Sequence, residues 1–553
     1  MENNKFLTLI REGIVNNWER PALTDYNGET YLYKDFAKKI AQLHILFDDL
    51  EVQKGDKIAI CGKNSANWAV AFFGSLTYGA VITTILHDFS GENIHTLVNH
   101  SEAKVLFADE YVWSKVDPVQ MPSVEAILLI DDFSAQKSRS AKFLESCSHL
   151  EQTFNVKYPK GFSQEDVIFY DESPDELAVL NYTSGTTSNP KGVMIPYRSL
   201  WSNTRFAIDS IEFVKAGDGI VCMLPMAHMY GLAFEVLLSI AKGCHIHYLT
   251  RVPSPQIILD AFSKVNPTLV LAVPLIIEKI IQSRVFPQLK KQPVKTLIKI
   301  PFFREKVYKK IAEKLVPVFG NKLVEVVIGG AALNKEVGAF LTDIRFPYTV
   351  GYGMTECGPL ISYEYWETYK QGSCGRPVDR MSVRIESSNM ETEAGEIIVK
   401  GQNVMLGYYK NEEATNQVLD SAGWLRTGDL GVMDRDGFLF IRGRSKTMIL
   451  SGSGQNIYPE EIEDYFNNSP YIAESLVIEE NGKLIALIYP DKDYLKAHDV
   501  KEEDYSAIFV AELKAINKRL PGYSQVVNFR LQDQEFEKTP KRSIKRFLYQ
   551  KNL

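Results

Sequence analysis

The sequence lacks the features that mark membrane, secreted and metal-clustered proteins. No apolar stretch reaches the roughly 20 residues that a bilayer-spanning helix needs, and the N-terminus lacks the apolar core of a signal peptide. The six cysteines are scattered without a C-x-x-C pair, which indicates reduced thiols rather than a disulfide framework or a zinc site. We therefore expect a cytoplasmic protein.

An excess of positive charge and a nucleophilic triad are missing as well. The formal net charge is −7, whereas nucleic-acid-binding proteins usually carry a broad basic face, so we expect no nucleic-acid partner. No Ser-His-Asp or Cys-His arrangement stands out for covalent catalysis. Any chemistry is therefore expected from a different kind of site.

What is present is a long globular chain in which strand-like and helical segments alternate. Its 553 residues suffice for two or more domains. The apolar run Lys57–Cys61 is followed by helical spacing over Trp68–Tyr78 and by a second run at Val81–Ile85, and similar runs recur at Gly219–Met223 and Leu323–Ile328. This order predicts an α/β sandwich of mostly parallel strands that are buried on both faces.

The pattern changes from about Gly395. Short strands separated by Gly and Asp turns, such as Phe438–Ile441, predict a small antiparallel β subdomain. A helical segment at Pro459–Phe466 and the strand-like runs after it predict a separate unit. The predicted division is a large N-terminal domain of residues 1–443, a hinge at about 444–446 and a smaller α+β C-terminal domain of residues 447–553.

A polar loop follows the apolar segment Leu177–Leu180. Residues 181–192, NYTSGTTSNPKG, combine hydroxyl side chains with two glycines and a lysine. Glycine lets backbone N–H groups approach an anion, hydroxyls donate hydrogen bonds and lysine supplies charge, so the loop predicts a polyphosphate site. Pro190 before Lys191 and Gly192 after it do not fit G-x-x-x-x-G-K-[ST], which excludes a P-loop NTPase.

Two other interpretations fit the loop taken alone. Ser188 and Lys191 match the S-x-x-K pattern of a serine nucleophile, but the partner motifs S-D-N and K-T-G are absent. A polar surface loop without a ligand fits the same letters. The choice therefore depends on segments further along the chain.

Five segments occur in a characteristic order. They are Tyr182–Gly192, Leu224–Gly231 (LPMAHMYG), Gly351–Pro359 (GYGMTECGP), Thr427–Gly431 (TGDLG) and Arg442–Met448 (RGRSKTM). With them the chain resembles, over nearly its whole length, the adenylate-forming superfamily of acyl-CoA synthetases, peptide-synthetase adenylation domains and luciferases. It is most similar to bacterial long-chain fatty-acid–CoA ligases. The resemblance implies a large N-terminal domain of stacked α/β sheets with a small β subdomain, and a mobile smaller C-terminal domain.

The resemblance also implies a site for ATP and Mg²⁺. Its ATP-binding residues would be Thr183, Ser184, Gly185, Thr186, Thr187, Lys191, Gly330, Tyr352, Gly353, Thr355, Asp429 and Arg444. Tyr352 would stack on adenine, Asp429 and Arg444 would contact the ribose, and Thr355 the α-phosphate. Glu356 would hold the metal, since a hard cation prefers carboxylate oxygen. The implied catalytic residues are Lys191, Thr355, Glu356, Lys446 and Lys545.

The implied reaction has two halves. A carboxylate attacks the α-phosphorus of ATP to give acyl-AMP and pyrophosphate, helped by positioning and by cations near the phosphates. The C-terminal domain then turns about the hinge residue Lys446 and presents residues 452–457, and the thiol of coenzyme A attacks the acyl-AMP.

Two positions depart from the superfamily pattern. Ser188 replaces a glycine, which stiffens the phosphate loop modestly. Ser543 occupies the position of a C-terminal lysine that bridges the substrate carboxylate and the phosphate. Lys541 and Lys545 are the candidate substitutes, and we favour Lys545 because it lies two residues on and points the same way in an extended segment.

The acid is less defined than the nucleotide. The residues that resemble acyl-pocket walls are His228, Gly231, Gly329, Ala331 and Met354. A long-chain fatty acid is the expected substrate, with coenzyme A as the acceptor. The alternatives are an aryl- or medium-chain acid–CoA ligase, an acyl-AMP ligase that loads a carrier protein and, because of Ser543, a catalytically impaired nucleotide-binding protein.

A basic stretch remains outside these motifs. Residues 297–316 place six Lys and Arg side chains among apolar ones, which fits a basic amphipathic helix. Such a helix allows peripheral contact with the inner membrane surface, although a surface helix with one buried face fits equally well. The oligomeric state is left open.

Overall fold

The computed structural model describes residues 4–182, 191–250, 254–450, 455–538 and 544–550. Within these ranges, none of the helices combines the length and the apolar character needed to cross a membrane. The predicted phosphate-binding residues 183–187, the glycine-rich residues 452–454 and the segment 539–543, which includes Lys541 and Ser543, lie outside the described residues.

The largest sheet has eight strands. Its middle five strands are parallel and its outer strands are antiparallel to their neighbours. In spatial order the strands are Gly407–Tyr408, Gly192–Pro196, Leu177–Tyr182, Val81–Ile85, Lys57–Cys61, Ala103–Ala108, Ala126–Leu129 and Ala135–Ser138.

Two further sheets complete the parallel part of the fold. The four-stranded sheet has the order Gly219–Cys222, His245–Tyr248, Pro21–Asp25 and Thr30–Leu32, with its last strand antiparallel. The three-stranded sheet consists of Leu269–Ala272, Glu325–Ile328 and Tyr348–Val350, all parallel.

The remaining sheets are mostly antiparallel. One joins Tyr352–Gly353, Leu360–Tyr363 and Arg376–Pro377, and the next joins Met381–Glu386, Gly395–Gly401, Leu425–Met433 and Leu439–Arg444. After residue 446 come the pair Ile449–Leu450 and Asn456–Ile457, and then a sheet of Ile472–Glu480, Lys483–Pro490 and Val526–Leu531.

Helices connect and cover the sheets. The α-helices of eight or more residues are Phe6–Val15, Tyr33–Asp49, Ala66–Tyr78, Gly91–Ser101, Ala141–Ser148, Leu150–Lys157, Tyr197–Ser210, Pro255–Val265, Pro301–Leu315, Lys335–Asp343, Pro459–Asn467 and Tyr505–Asn517. The shorter ones are Glu110–Trp113, Met229–Gly231, Leu238–Lys242, Pro274–Ile280, Phe286–Lys290, Val294–Leu297, Glu412–Val418 and Lys492–Ala497. Leu232–Leu237 and Ile281–Val285 are π-helical.

Single turns of 3₁₀-helix make up the rest of the helical structure. They are Pro118–Gln120, Gln164–Asp166, Val316–Phe319, Thr355–Cys357, Glu502–Asp504, Gly522–Ser524 and Arg546–Leu548.

Local sequence explains many of these limits. The helix Ala66–Tyr78 begins where the hydroxyl of Ser65 accepts a hydrogen bond from the backbone N–H of Trp68, and it ends at Gly79, whose φ of 94° is left-handed. The strands Lys57–Cys61 and Val81–Ile85 have the predicted limits, and the mixed α/β architecture with a smaller α+β C-terminal domain is confirmed.

The basic stretch 297–316 differs from its prediction as one helix. Ile300 is extended, with φ −98° and ψ 117°, and divides Val294–Leu297 from Pro301–Leu315. The reason is Pro301, because the ring of a proline disfavours helical geometry in the residue before it and suits the first position of a new helix.

Candidate active site

The predicted site segments meet where parallel strands end. The strand Leu177–Tyr182 leads into the phosphate loop, Glu325–Ile328 leads into Gly329, and Tyr348–Val350 leads into the segment that begins at Gly351. In open α/β sheets, ligands bind beyond the carboxyl ends of the strands. The topology therefore brings together segments that are far apart in the sequence.

Asn181 and Tyr182 hold the base of the phosphate loop. The Nδ2 of Asn181, which is buried, donates to Thr84 Oγ1 at 2.7 Å and to the carbonyl of Ala227 at 2.8 Å. The hydroxyl of Tyr182 lies 2.6 Å from Nδ1 of His100. These bonds tie the start of the loop to the neighbouring strand and to the Leu224–Gly231 motif.

Lys191 and Glu356 are linked by a residue that the motifs do not include. The Nζ of Lys191 lies 4.6 Å from the ring centroid of Tyr408, and the Tyr408 hydroxyl donates to Glu356 Oε1 at 2.9 Å. Tyr408 reaches this position because its two-residue strand pairs with the strand Gly192–Pro196. No local signal in the sequence identifies Tyr408, since the pairing joins distant residues.

Thr355 and Glu356 lie in a tight turn supported from behind by a buried asparagine. Asn203 donates from Nδ2 to the carbonyl of Cys357 at 3.1 Å and accepts at Oδ1 from the backbone N–H of Leu360 at 2.9 Å. Gly353 approaches the returning strand so closely that a Cβ would lie 2.2 Å from the carbonyl oxygen of Pro359. Glycine is therefore required at this position.

Tyr352, Asp429 and Arg444 form the other end of the site. The Tyr352 hydroxyl donates to Asp429 Oδ2 at 2.7 Å, and Arg444 Nε lies 3.0 Å from Asp429 Oδ1. Asp429 faces Arg444 in the register of their antiparallel strands. Burial raises the pKa of the Asp429 carboxyl, and the Arg444 guanidinium opposes that rise.

The residues at the first end suit Mg²⁺ when ATP is bound. Magnesium is usually held by one or two carboxylates together with substrate phosphates. Glu356 supplies a half-buried carboxylate that the Tyr408 hydroxyl orients, and Lys191 Nζ lies over the ring of the same tyrosine. Glu356 would therefore hold the metal.

Two of the segments that carry the predicted acyl-pocket residues are in contact, and these residues differ in exposure. A Cβ on Gly329 would lie 3.1 Å from the ring of Tyr230, whose hydroxyl donates to the carbonyl of Val327 at 3.0 Å. Gly330 and Ala331 are exposed, whereas His228 and Met354 are half-buried. Gly231 is buried against Leu224: a Cβ on Gly231 would lie 2.9 Å from the Cβ of Leu224.

Two polar residues outside the motif hold the Leu224–Gly231 segment. Asn64 donates to the carbonyl of Leu224 at 2.7 Å and accepts from the N–H of Met226 at 2.9 Å. The carboxyl of Glu235, fully buried in a π-helix, accepts from the N–H of Leu224 at 3.0 Å. A charged residue in an apolar run is the one signal in the sequence for Glu235.

The structure does not bring the two C-terminal catalytic candidates to this cluster. Lys446 is exposed at the predicted hinge. Lys545 lies in the C-terminal domain, with its Nζ 3.4 Å from Oε2 of Glu537 and its backbone N–H bonded to the Glu537 carbonyl. The role of Lys545 therefore stays a prediction.

Comparison with known families identifies the class of protein that carries this site. A family model described as "AMP-binding enzyme" matches residues 11–409, and another described as "AMP-binding enzyme C-terminal domain" matches residues 446–552. The chain belongs to the AMP-binding enzyme family. The predicted superfamily and the predicted class, an acid–thiol ligase, are confirmed.

Individual relatives are CoA ligases of different acids. Long-chain-fatty-acid–CoA ligase ACSBG2 of Rattus norvegicus is 25% identical over 512 residues, covering 87% of this chain and 76% of the relative. 4-Coumarate-CoA ligase 1 of Narcissus pseudonarcissus is 26% identical over 480 residues, covering 83% and 79%.

A solved structure shares the fold. O-succinylbenzoate coenzyme A synthetase (MenE) from Bacillus subtilis, in complex with ATP and magnesium ion, superposes with a TM-score of 0.73 at 22% identity, covering 98% of each chain.

Proposed function

We propose that the protein is an ATP- and Mg²⁺-dependent ligase that joins a long-chain fatty acid to coenzyme A through an acyl-AMP intermediate. The observation that carries this proposal is the placement of charged and aromatic residues at the two ends of the site. A lysine and a carboxylate, Lys191 and Glu356, share Tyr408 at one end, while Tyr352 and Asp429 meet at the other. This arrangement matches a nucleotide, which carries phosphates at one end and a ribose and base at the other.

Each residue has a chemical task in this reaction. Lys191 would neutralise phosphate oxygens, and Glu356 would hold a metal that adds positive charge beside the phosphates when it is bound. Asp429, held by Arg444, would accept hydrogen bonds from the ribose hydroxyls. Because these groups are fixed by neighbouring hydrogen bonds before ATP arrives, little reorganisation is required when charge develops on the leaving pyrophosphate.

The acid is assigned from the relatives and from the pocket residues. Gly329, Gly330 and Ala331 have small or no side chains, Gly330 and Ala331 are exposed, and one of the relatives is a long-chain fatty-acid–CoA ligase. The 4-coumarate relative favours a second candidate, an aromatic acid. Lys545 is our candidate for the cation that bridges acid and phosphate, delivered when the C-terminal domain turns.

The deciding experiment measures AMP release from ATP and coenzyme A with medium-chain, long-chain and aromatic acids. We expect kcat/KM for a long-chain acid to exceed that for a medium-chain acid by at least about tenfold, because each buried methylene adds binding energy. Glu356→Gln is the matched inactive control, since it keeps the hydrogen bond from Tyr408 but removes the charge.

The same experiment separates the alternatives. Preference for 4-coumarate would indicate that the substrate is an aryl acid and not a fatty acid. Acyl-AMP formation without use of coenzyme A would indicate a carrier-loading enzyme. Absence of AMP and of ATP–pyrophosphate exchange with every acid would contradict the proposed ligase activity.

A further inference from the structure

One surface of the N-terminal domain is both basic and apolar. Residues 290–314, which we name the basic–aromatic surface, contain nine Lys and Arg but only two Asp and Glu, in a chain whose net charge is −7. The segment is therefore a local positive region on an otherwise acidic protein. Its long-range electrostatic attraction is towards anionic partners.

Large apolar side chains lie exposed within the same surface. The exposed fractions are 46% for Ile300, 62% for Phe302 and 42% for Phe303. The six residues Pro301–Lys306 are all exposed. Adjacent exposed aromatic side chains beside lysines are costly in water, and such patches usually bind a partner or a membrane.

Helical geometry puts the aromatic and basic residues on one side. In the helix Pro301–Leu315, Tyr308, Ile311, Ala312 and Leu315 face the protein and are buried or half-buried. The opposite face carries Phe302, Phe303, Lys306 and Lys310, according to the 3.6-residue period. Lys306 Nζ lies 4.2 Å from the ring centroid of Phe302, so charge and aromatic surface are in direct contact.

This surface lies on a segment that packs against the helix following the proposed acyl-pocket residues Gly329 and Ala331. The segment follows the strand Leu269–Ala272 in the chain. The carboxyl end of this strand lies beside the carboxyl end of Glu325–Ile328, which leads into Gly329. It packs on the helix Lys335–Asp343 through Tyr308, whose ring centroid is 5.8 Å from that of Phe340. Phe286, which precedes the segment, lies 5.3 Å from the same ring. The basic–aromatic surface and the proposed acyl pocket are therefore parts of one packed region of the N-terminal domain.

We propose that the basic–aromatic surface docks the protein on the surface of an anionic phospholipid bilayer. The lysines and Arg304 approach the phosphate headgroups, and Ile300, Phe302 and Phe303 enter the boundary between headgroups and acyl chains. Basic residues with aromatic and aliphatic neighbours are the composition of helices that lie in this interface. A membrane is favoured over a protein partner because the positive charge is spread over 25 residues and lies beside exposed aromatic and aliphatic side chains.

The test is flotation of the full-length protein with vesicles of phosphatidylcholine, with and without phosphatidylglycerol. No ATP, coenzyme A or fatty acid is added, so the result does not depend on the proposed ligase function. We expect binding only with phosphatidylglycerol, and its loss in high salt. Flotation with neither vesicle, or equally with both, would overturn the proposal.

Paired variants separate the two parts of the surface. Lys306→Glu/Lys310→Glu should weaken binding at least tenfold through charge, and Phe302→Ser/Phe303→Ser at least tenfold through loss of apolar insertion. The controls alter exposed residues elsewhere: Lys496→Glu/Lys518→Glu for charge and Val156→Ser/Ile168→Ser for apolar surface. Equal losses in the control pairs would contradict docking at this surface and favour a non-specific attraction.

Binding of a second copy of the chain at this surface would give a different result. If the surface instead joined two copies of the chain, sedimentation would show a dimer that the Phe302→Ser/Phe303→Ser pair abolishes, without lipid. That result would overturn membrane docking. Folding of each variant is checked by its thermal unfolding, and only variants that melt within a few degrees of wild type are compared.

Discussion

Glu235 shows how a single buried carboxyl affects the whole protein. It is fully buried, and its Oε2 accepts from the backbone N–H of Leu224 at 3.0 Å. Its other oxygen has no hydrogen-bond partner among the described residues. Loss of water around the carboxyl raises the pKa of Glu235 to about 8, so the residue is neutral in the folded protein below that pH.

This raised pKa makes stability depend on pH. Between about 4.5, where an exposed glutamate titrates, and about 8, the folded protein keeps a proton that the unfolded chain releases. Raising the pH through this window therefore lowers the free energy of unfolding. Glu325, whose pKa burial raises to about 7, adds to the same trend.

We predict that Glu235→Gln melts at a higher temperature than wild type at pH 8, by a few degrees, and that the difference shrinks towards pH 5. Glutamine keeps the acceptor for Leu224 and remains neutral at every pH. Thermal unfolding followed by fluorescence between pH 5 and pH 8 measures this difference in melting temperature. Glu165→Gln, at an exposed glutamate, is the control and should follow wild type. Parallel curves for wild type and Glu235→Gln would show that Glu235 does not titrate in this window.

The hairpin from Tyr352 to Tyr363 shows what one element requires of its backbone. Its first strand is Tyr352–Gly353, its second is Leu360–Tyr363, and the turn between them carries Thr355 and Glu356. The pairing has an irregularity between Tyr352 and Gly353. Gly353 approaches the Pro359 carbonyl closely at this irregularity, at the point where the turn that carries Thr355 and Glu356 begins.

We predict that Gly353→Ala lowers ATP–pyrophosphate exchange by about 100-fold and also lowers the melting temperature. The new Cβ would lie 2.2 Å from a backbone oxygen, so the strands must separate and the turn must move, and a shift of about 1 Å can cost that factor in rate. Gly351→Ala is the matched control for stability, because its Cβ would meet no heavy atom closer than 3.6 Å. Equal melting temperatures for the two variants would contradict the steric argument.

At the scale of the whole molecule, the two domains meet beside the proposed pocket. Oε1 of Glu461, in the C-terminal domain, lies 3.6 Å from Lys335 Nζ and 3.5 Å from Arg442 Nη1. Asn334 Nδ2 donates to Asp464 Oδ1 at 3.1 Å and also bonds to Asn468. A turn of the C-terminal domain about the hinge would exchange these polar contacts for others. Polar contacts of this kind are inexpensive to break, because water replaces them.

We predict that Lys446→Pro separates the two half-reactions. Proline fixes φ near −65° and restricts the residue before it, so the hinge keeps one pose. We expect the rate of one half-reaction, either ATP–pyrophosphate exchange or thioester formation, to fall at least tenfold while the rate of the other is retained. Lys446→Ala removes the same side chain but leaves the backbone free, so a loss that both variants share belongs to the side chain and the additional loss in Lys446→Pro to the backbone. A uniform loss of both in Lys446→Pro would contradict a hinge role for this residue.

Much of the fold could be predicted because its signals are local. The runs Lys57–Cys61 and Val81–Ile85 are apolar throughout, as strands buried on both faces must be, and their limits coincide with the observed strands. The division of the basic stretch at Ile300 was missed, although Pro301 carried the signal. Lysines and apolar residues occur on both sides of the break, so the composition of the stretch concealed it.

The sequence by itself determined the family, the order of elements and the residue types of an ATP site, because motifs are runs of neighbouring residues. Only the tertiary structure decided that Tyr408 lies between Lys191 and Glu356, that Glu235 and Asn64 hold the Leu224–Gly231 segment, and that Phe302 and Phe303 are exposed. The physical reason is distance along the chain. Strand pairing, burial and loss of solvent depend on residues that are brought together by folding, and no spacing within a short segment encodes them.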